Sequence, residues 1–368
     1  MFRSILFFFY SITKLTSLCF CLLWLNLPPC WGQVKAHEEK VVQNSKHTKS
    51  SQRFIRVLCI TGGGVRGIIP SRILQAFEEQ SGKSIHQLFD LIVGTSTGGI
   101  IALALTMPDP ENLQKSMYKA QDVVNFYLQE SSQIFCKSIW RTLRSGFGIW
   151  GARYDRKNLD TALLRFMKDS RMTQCLCHVG ILSYSIDKHL PCLWTSYLAQ
   201  QQATKDHYIR NVVAASSAAP TYFEPKLIND ARTKETLTEI DGGIYANNPA
   251  IAAMIAVSNL YPKFRRKDLV VVSLGTGKSR KRVHELHGLR SISHLISDMM
   301  DATGELVDGA IDALVLHYYP FQLELPSELM PMDQGDKEHL EKLIKLTEQE
   351  LIAKRQKDIT SLLEKLVN

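Results

Sequence analysis

The chain of 368 residues is longer than one small domain needs, and it falls within reach of a single large α/β unit, which commonly passes ~250 residues. Hydrophobic residues make up 45% and charged residues 22%, a balance that excludes a disordered chain, a collagen-like repeat and a multi-span membrane protein. The formal charge of +8 points to an anionic partner: with neither zinc-finger spacing nor an aromatic RNA-binding signature, no nucleic acid is expected, and a membrane surface met through Lys263–Lys267 and Lys278–Arg282 is favoured.

Residues 5–27 are almost uninterruptedly apolar, Arg3 supplies a positive start, and the first acidic residue is Glu38. That pattern predicts a secretory signal peptide over residues 1–32, cleaved after Gly32, and hence a secreted protein. Lys14 splits the run and leaves less than the ~20 residues of a full span, although an uncleaved membrane anchor over residues 5–27 is the alternative. Residues 33–54 read as a polar linker. Beyond residue 32 lie Cys59, Cys136, Cys175, Cys177 and Cys192, an odd set at irregular spacing that is no disulfide framework. Cys175-Leu-Cys177-His178 lacks a second ligand pair, so no metal is expected.

Ile55–Ile60 is a short apolar run that stops at Gly62-Gly63-Gly64, the pattern of a buried strand ending in a glycine loop. From Ile68 to Gln80 the spacing of Ile69, Ile73 and Phe77 predicts a helix, closed by Ser81-Gly82, with Pro70 in the tolerant first turn. Leu88–Val93 predicts a second strand running into Gly94-Thr95-Ser96-Thr97-Gly98-Gly99, and Ile100–Leu105 an apolar helix. Further strands are predicted at Val179–Ile186, Cys192–Tyr197 and Leu269–Leu274, and an amphipathic helix over Lys337–Val367. The alternation predicts an α/β fold: a mostly parallel central sheet covered by helices on both faces, with a C-terminal helix docked on it.

Gly94-Thr95-Ser96-Thr97-Gly98 is a G-x-S-x-G nucleophile elbow in the setting its mechanics require, strand before and helix after. Gly94 and Gly98 carry no side chain because the turn is too tight for one. A serine nucleophile needs an oxyanion site and a base. Gly62, Gly63, Gly64, Val65 and Arg66 are the oxyanion candidates, since bare amides between a strand and a helix start can face a carbonyl oxygen. Read strictly, Gly62-x-Gly64-x-x-Gly67 also matches a dinucleotide-binding fingerprint, with Glu78 or Glu79 as the ribose contact; that reading leaves Ser96 unexplained. The base is either a histidine (His284, His287, His294 or His317) or Asp241, whose carboxylate opens the Asp241-Gly242-Gly243 turn.

Thr61-Gly-Gly-Gly-Val-Arg-Gly67, Gly94-Thr-Ser-Thr-Gly98 and Asp241-Gly-Gly243 resemble, in order and rough spacing, the motifs of the patatin-like phospholipases. Phe89–Val93, Ala214–Pro220, Tyr245–Pro249 and Ser273–Gly277 resemble supporting segments of the same family. The resemblance implies a patatin-like fold and a lipid acyl hydrolase acting on membrane phospholipid or another acyl lipid. It also implies a Ser–Asp dyad of Ser96 and Asp241 without a catalytic histidine, and no metal or other cofactor. On this reading residues 55–322 form the phospholipase domain and residues 323–368 a helical segment packed on it. One departure is visible: many members carry Asp where Thr61 stands, which bears on hydrogen bonding at the strand end. Arg66 is expected to orient the loop, meet a lipid phosphate or form a structural salt bridge. A weakly active lipid-binding or storage protein of the same fold is the competing function.

Overall fold

A computed structural model describes residues 54–136, 151–229, 236–279 and 291–367, the last segment with side chains from residue 298 onward. The chain divides into two compact units, Met1–Thr48 and Lys49–Asn368, and every described residue belongs to the second. The expected signal or anchor, nearly all of the linker, Arg280–Arg282, His284 and His287 lie outside the described residues.

The strands of the central sheet are β1 (Ile55–Ile60), β2 (Leu91–Thr95), β3 (His178–Ser185), β4 (Leu190–Thr195), β5 (Lys226–Asn229), β6 (Thr236–Asp241), β7 (Leu269–Leu274) and β8 (His317–Phe321). They form one eight-stranded sheet in the order β8-β7-β1-β2-β3-β6-β5, with β4 also on β3. β8, β7, β1, β2 and β3 run parallel, and β4, β5 and β6 pair antiparallel. The sheet is therefore mixed, with a parallel majority.

The helices that cover it are α1 (Ile68–Ser81), α2 (Thr97–Ala104), α3 (Ala120–Ile134), α4 (Arg156–Met167), α5 (Ile209–Ser216), α6 (Ala250–Leu260), α7 (Ser291–Leu314), α8 (Lys337–Thr347) and α9 (Gln356–Val367). Because strand side chains alternate, one face receives Val57, Cys59, Leu91, Val93 and Val271, packed under α6 and α7. The other receives Leu58, Ile60, Ile92, Val270 and Val272, packed under α1 to α5, α8 and α9. Burial on both faces explains why the parallel strands read as continuous apolar runs.

Several elements differ from their sequence pattern. β2 begins at Leu91 rather than Leu88, because Ile85–Leu88 is a helical turn whose Gln87 side chain accepts from the Ser84 N–H at 3.1 Å. β5, β6 and β8 go unpredicted: β5 is only four residues long, β6 is polar at four of its six positions, and β8 contains Pro320, which an edge strand tolerates. The single helix expected over Lys337–Val367 is two, α8 and α9, joined through a π-bulge at Glu348–Ala353 that resets the face.

Arg56 ties the last helix to the first strand. Its guanidinium pairs with both oxygens of Asp90 (3.0 and 2.9 Å) and donates to the carbonyls of Leu366 (2.6 Å) and Gln87 (3.2 Å). Breaking such a buried pair from one side costs about 3 kcal/mol. Arg56→Met is expected to lower stability by about that much in urea, and hydrogen exchange should quicken first in the amides of α9.

Candidate active site

β3 brings the candidate nucleophile and base together. β4 occupies one of its edges along Gly180–Ser185, so β2 and β6 share the other. β2 pairs as far as Thr95 opposite Leu182, and β6 ends with Asp241 opposite Ser183. Two strands running in opposite directions thus stop against consecutive residues of β3. Ser96, the residue after β2, arrives beside Asp241, and its side chain faces the Asp241 carboxylate closely enough to favour the ionised form. Both are buried, at 8% and 4% exposure.

The turn at Ser96 is strained. Its backbone has φ 54° and ψ −122°, an unusual conformation for a residue with a side chain. A methyl on Gly94 would lie 2.3 Å from the Gly98 carbonyl oxygen, and one on Gly98 only 2.2 Å from that of Ile60. Ser216 holds the turn: its Oγ accepts from the Ser96 N–H (2.8 Å) and donates to the Leu182 carbonyl (2.5 Å).

Of the glycine-loop amides, Gly62 donates to the Asn247 carbonyl (3.3 Å), Val65 to that of Met332 (2.9 Å) and Arg66 to that of Gly63 (3.2 Å). The other two, Gly63 and Gly64, border the cavity that Ser96 and Asp241 also line. Arg66 is 2% exposed and braces the loop from behind, its guanidinium donating to the carbonyls of Gly277 (3.3 Å) and Gly63 (3.5 Å). So deep a guanidinium orients the loop and does not reach out to a lipid phosphate. Thr61, where many relatives by resemblance carry Asp, accepts from the Thr276 N–H at 3.0 Å, and Thr276 Oγ1 donates to the Gly62 carbonyl at 2.6 Å. The substitution therefore acts on the loop's support and leaves the serine untouched.

Burial pushes the Asp241 carboxyl up to about 7, against the opposing influence of the Ser96 side chain and of the hydrogen bond from the Gly243 N–H (2.7 Å). The cavity walls are otherwise mostly hydrocarbon and aromatic, with Ile100, Phe126, Ile134, Phe135, Leu159 and Phe223 among them, and the hydroxyls of Ser131 and Ser217 interspersed. No histidine lines it among the described residues. His317 begins β8 at the opposite end of the sheet, beside Lys365, and the side chain of His294 lies outside the described residues.

The dinucleotide reading loses its ribose contact here. Both Glu78 oxygens accept from backbone amides, those of Ile85 (3.2 Å) and Ala120 (2.7 Å), while Glu79 accepts from Gln75 (2.8 Å) on the surface. The first basic cluster lies at the entry of β7, remote from Ser96, with Arg265 paired to Asp268 at 2.8 Å. Lys278, in contrast, follows the exit of β7 at the Ser96 end and pairs with Glu305 at 3.1 Å. Ser216, Asn247 and Thr276 fall in segments singled out in the sequence without a role. Met332 acts through its backbone carbonyl, which no side-chain pattern signals.

The profile of the patatin-like phospholipase family matches residues 58–254. Patatin-like protein 4 of Arabidopsis thaliana is 30% identical over 256 residues, 65% of this chain and 63% of its own length. Patatin-like protein 2 of Oryza sativa is 28% identical over 352 residues, 83% of this chain and 85% of its own. Patatin-T5 of Solanum tuberosum is 30% identical over 244 residues, 61% of each. Among solved structures, human GIVD cytosolic phospholipase A2 overlaps more loosely, with TM-score 0.43 and 11% identity over 87% of this chain and 61% of that one.

The strain at Ser96 and the crowding at Gly98 have measurable consequences. Ser96→Gly should be more stable than Ser96→Ala by about 1 kcal/mol in urea, since both lose the hydroxyl and only glycine accepts the backbone freely. Gly98→Ala should cost about 3 kcal/mol by the same measurement, because its methyl meets a backbone oxygen that cannot move aside.

Proposed function

The chain belongs to the patatin-like phospholipase family, and we propose that it is a lipid acyl hydrolase cleaving fatty-acyl esters of membrane lipids. The observation that carries this is the buried pair of Ser96 and Asp241 beside the Gly63–Gly64 loop, lining one largely apolar cavity suited to an acyl chain. Ser96 Oγ attacks the ester carbonyl carbon as Asp241 takes its proton. The Gly63 and Gly64 amides stabilise the oxyanion, and the positive end of α2 favours charge at the same place. Collapse expels the alcohol, which takes the proton from Asp241, and leaves an acyl-Ser96 ester. Water then attacks that ester, Asp241 again taking the proton, and the fatty acid leaves as Ser96 Oγ is reprotonated.

An ordinary carboxylate is a weak base at neutral pH. Burial strengthens this one, because a carboxyl titrating near 7 still ionises at neutral pH while holding its proton more firmly. The membrane surface is the proposed place of work, and residues 1–32 support export through the secretory pathway.

Three measurements test this. A fluorophosphonate probe should label the full chain and not Ser96→Ala; labelling retained in that variant removes the assignment. Asp241→Asn should lower kcat/KM on a fatty-acyl ester by about 10³-fold, and wild-type kcat/KM should rise with pH to a plateau, half-maximal near 7. Stability should run the other way. The folded value of about 7 lies above the usual 3.8, so the contribution of Asp241 is full below about 3.8 and lost as pH rises to 7, on the order of 4 kcal/mol. The melting temperature of Asp241→Asn relative to wild type should therefore climb between pH 4 and pH 8.

A further inference from the structure

Resting on the proposed acyl-enzyme, we propose that Asn247 is a positioning residue for the second half-reaction: its side-chain oxygen and the Asp241 carboxylate together seat the water that releases the fatty acid. Asn247 is 7% exposed, and its Oδ1 is buried without a hydrogen-bond partner among the described residues. A buried amide oxygen left unpaired carries a cost of about 1–3 kcal/mol, so it calls for a donor.

The surroundings locate that donor. The point where a methyl on Gly243 would sit is 3.0 Å from Asp241 Oδ1, 3.0 Å from Met300 Cε and 3.4 Å from Asn247 Oδ1. The two oxygens are thus within about 6.4 Å of each other, a separation that one bridging water spans when it lies nearer the line between them. On the other side, a methyl on Gly62 would lie 2.5 Å from Asn247 Oδ1 and 3.2 Å from Ser96 Cβ, which keeps Oδ1 within about 6 Å of Ser96 Cβ. Glycine at both positions leaves this space unfilled by side chain.

The chemistry requires two acceptors. An attacking water carries two protons: one passes to Asp241 as the oxygen bonds to the acyl carbon, and the other stays on that oxygen and needs an acceptor that fixes the water's orientation. Besides Asp241 the acyl cavity offers hydroxyls, such as those of Ser131 and Ser217, but among the described residues no second carboxylate and no side-chain amide oxygen. Asn247 also lines a polar cavity of about 20 Å³ with Thr61, Ser273, Asp301 and Gln322, room for a single water, and Met300 lines both cavities. A polar space the size of one water therefore adjoins Asn247 on the side away from the acyl cavity. Acylation needs no such seat, since Ser96 itself is the nucleophile.

Stopped-flow hydrolysis of p-nitrophenyl butyrate by the full chain separates the two halves. In Asn247→Leu the first, stoichiometric release of nitrophenol should keep its rate within about threefold while steady-state turnover falls about 10²-fold, the cost of misplacing a reacting atom by about 1 Å. Intact-mass analysis should then show butyryl-Ser96 accumulating. Gly243→Ala, whose methyl enters the seat 3.0 Å from both Met300 Cε and Asp241 Oδ1 and keeps the backbone donor to Asp241, should lower turnover further than first release. First release and turnover falling together in both variants, or turnover unchanged in both, overturns the seat while leaving the proposed hydrolase intact. If the wild type itself neither turns over nor acylates Ser96, the hydrolase reading falls and the seat falls with it.

Discussion

The site depends on an arrangement of strands before it depends on any side chain. β2 and β6 approach along the same edge of β3 from opposite directions and stop at Leu182 and Ser183. Backbone hydrogen bonds of the sheet thereby set the separation of two residues 145 positions apart in sequence, numbers 96 and 241. The rest follows from that meeting point: the turn at Ser96 must be sharp because β2 has run out of room, and α2 must start at once. A glycine loop leaving the neighbouring β1 then lies over the serine. Each support of that loop comes from a different element, namely Asn247 after β6, Thr276 after β7 and Met332 before α8.

Closure of the sheet end also supplies the chemistry. Asp241 is packed away from solvent with only the Gly243 N–H and the Ser96 side chain to favour its charge, too few to offset the loss of hydration, and its proton affinity rises accordingly. A surface carboxylate in the same hydrogen-bond pattern would stay ionised and accept a proton poorly. Basicity and structural cost are thus one effect seen from two sides, a common trade at reactive sites.

Legibility in the sequence tracked how locally each feature is determined. Doubly buried strands such as β1 and β7 are contiguous apolar runs, and the elbow is five consecutive residues whose spacing follows from one tight turn. β6 was invisible because Thr236–Asp241 mixes polar residues with two aliphatic ones, and its pairing to β3 is antiparallel and remote in sequence. Asp241 was found through its turn glycines and the family resemblance, not through its strand. The support by Ser216, Asn247 and Met332 stayed hidden because it runs largely through backbone groups and small hydroxyls, which leave little compositional trace.

Met332 has a bearing on how the protein is made. The carbonyl that fixes Val65, and through it the curvature of the glycine loop, belongs to a stretch well past residue 254, where the family profile stops, and the helices beyond it are pinned to β1 by Arg56. During synthesis the serine and its partner emerge long before this stretch does. The loop beside Ser96 is consequently one of the last parts of the fold that a nascent chain can complete, since its final brace is made only after this stretch has emerged.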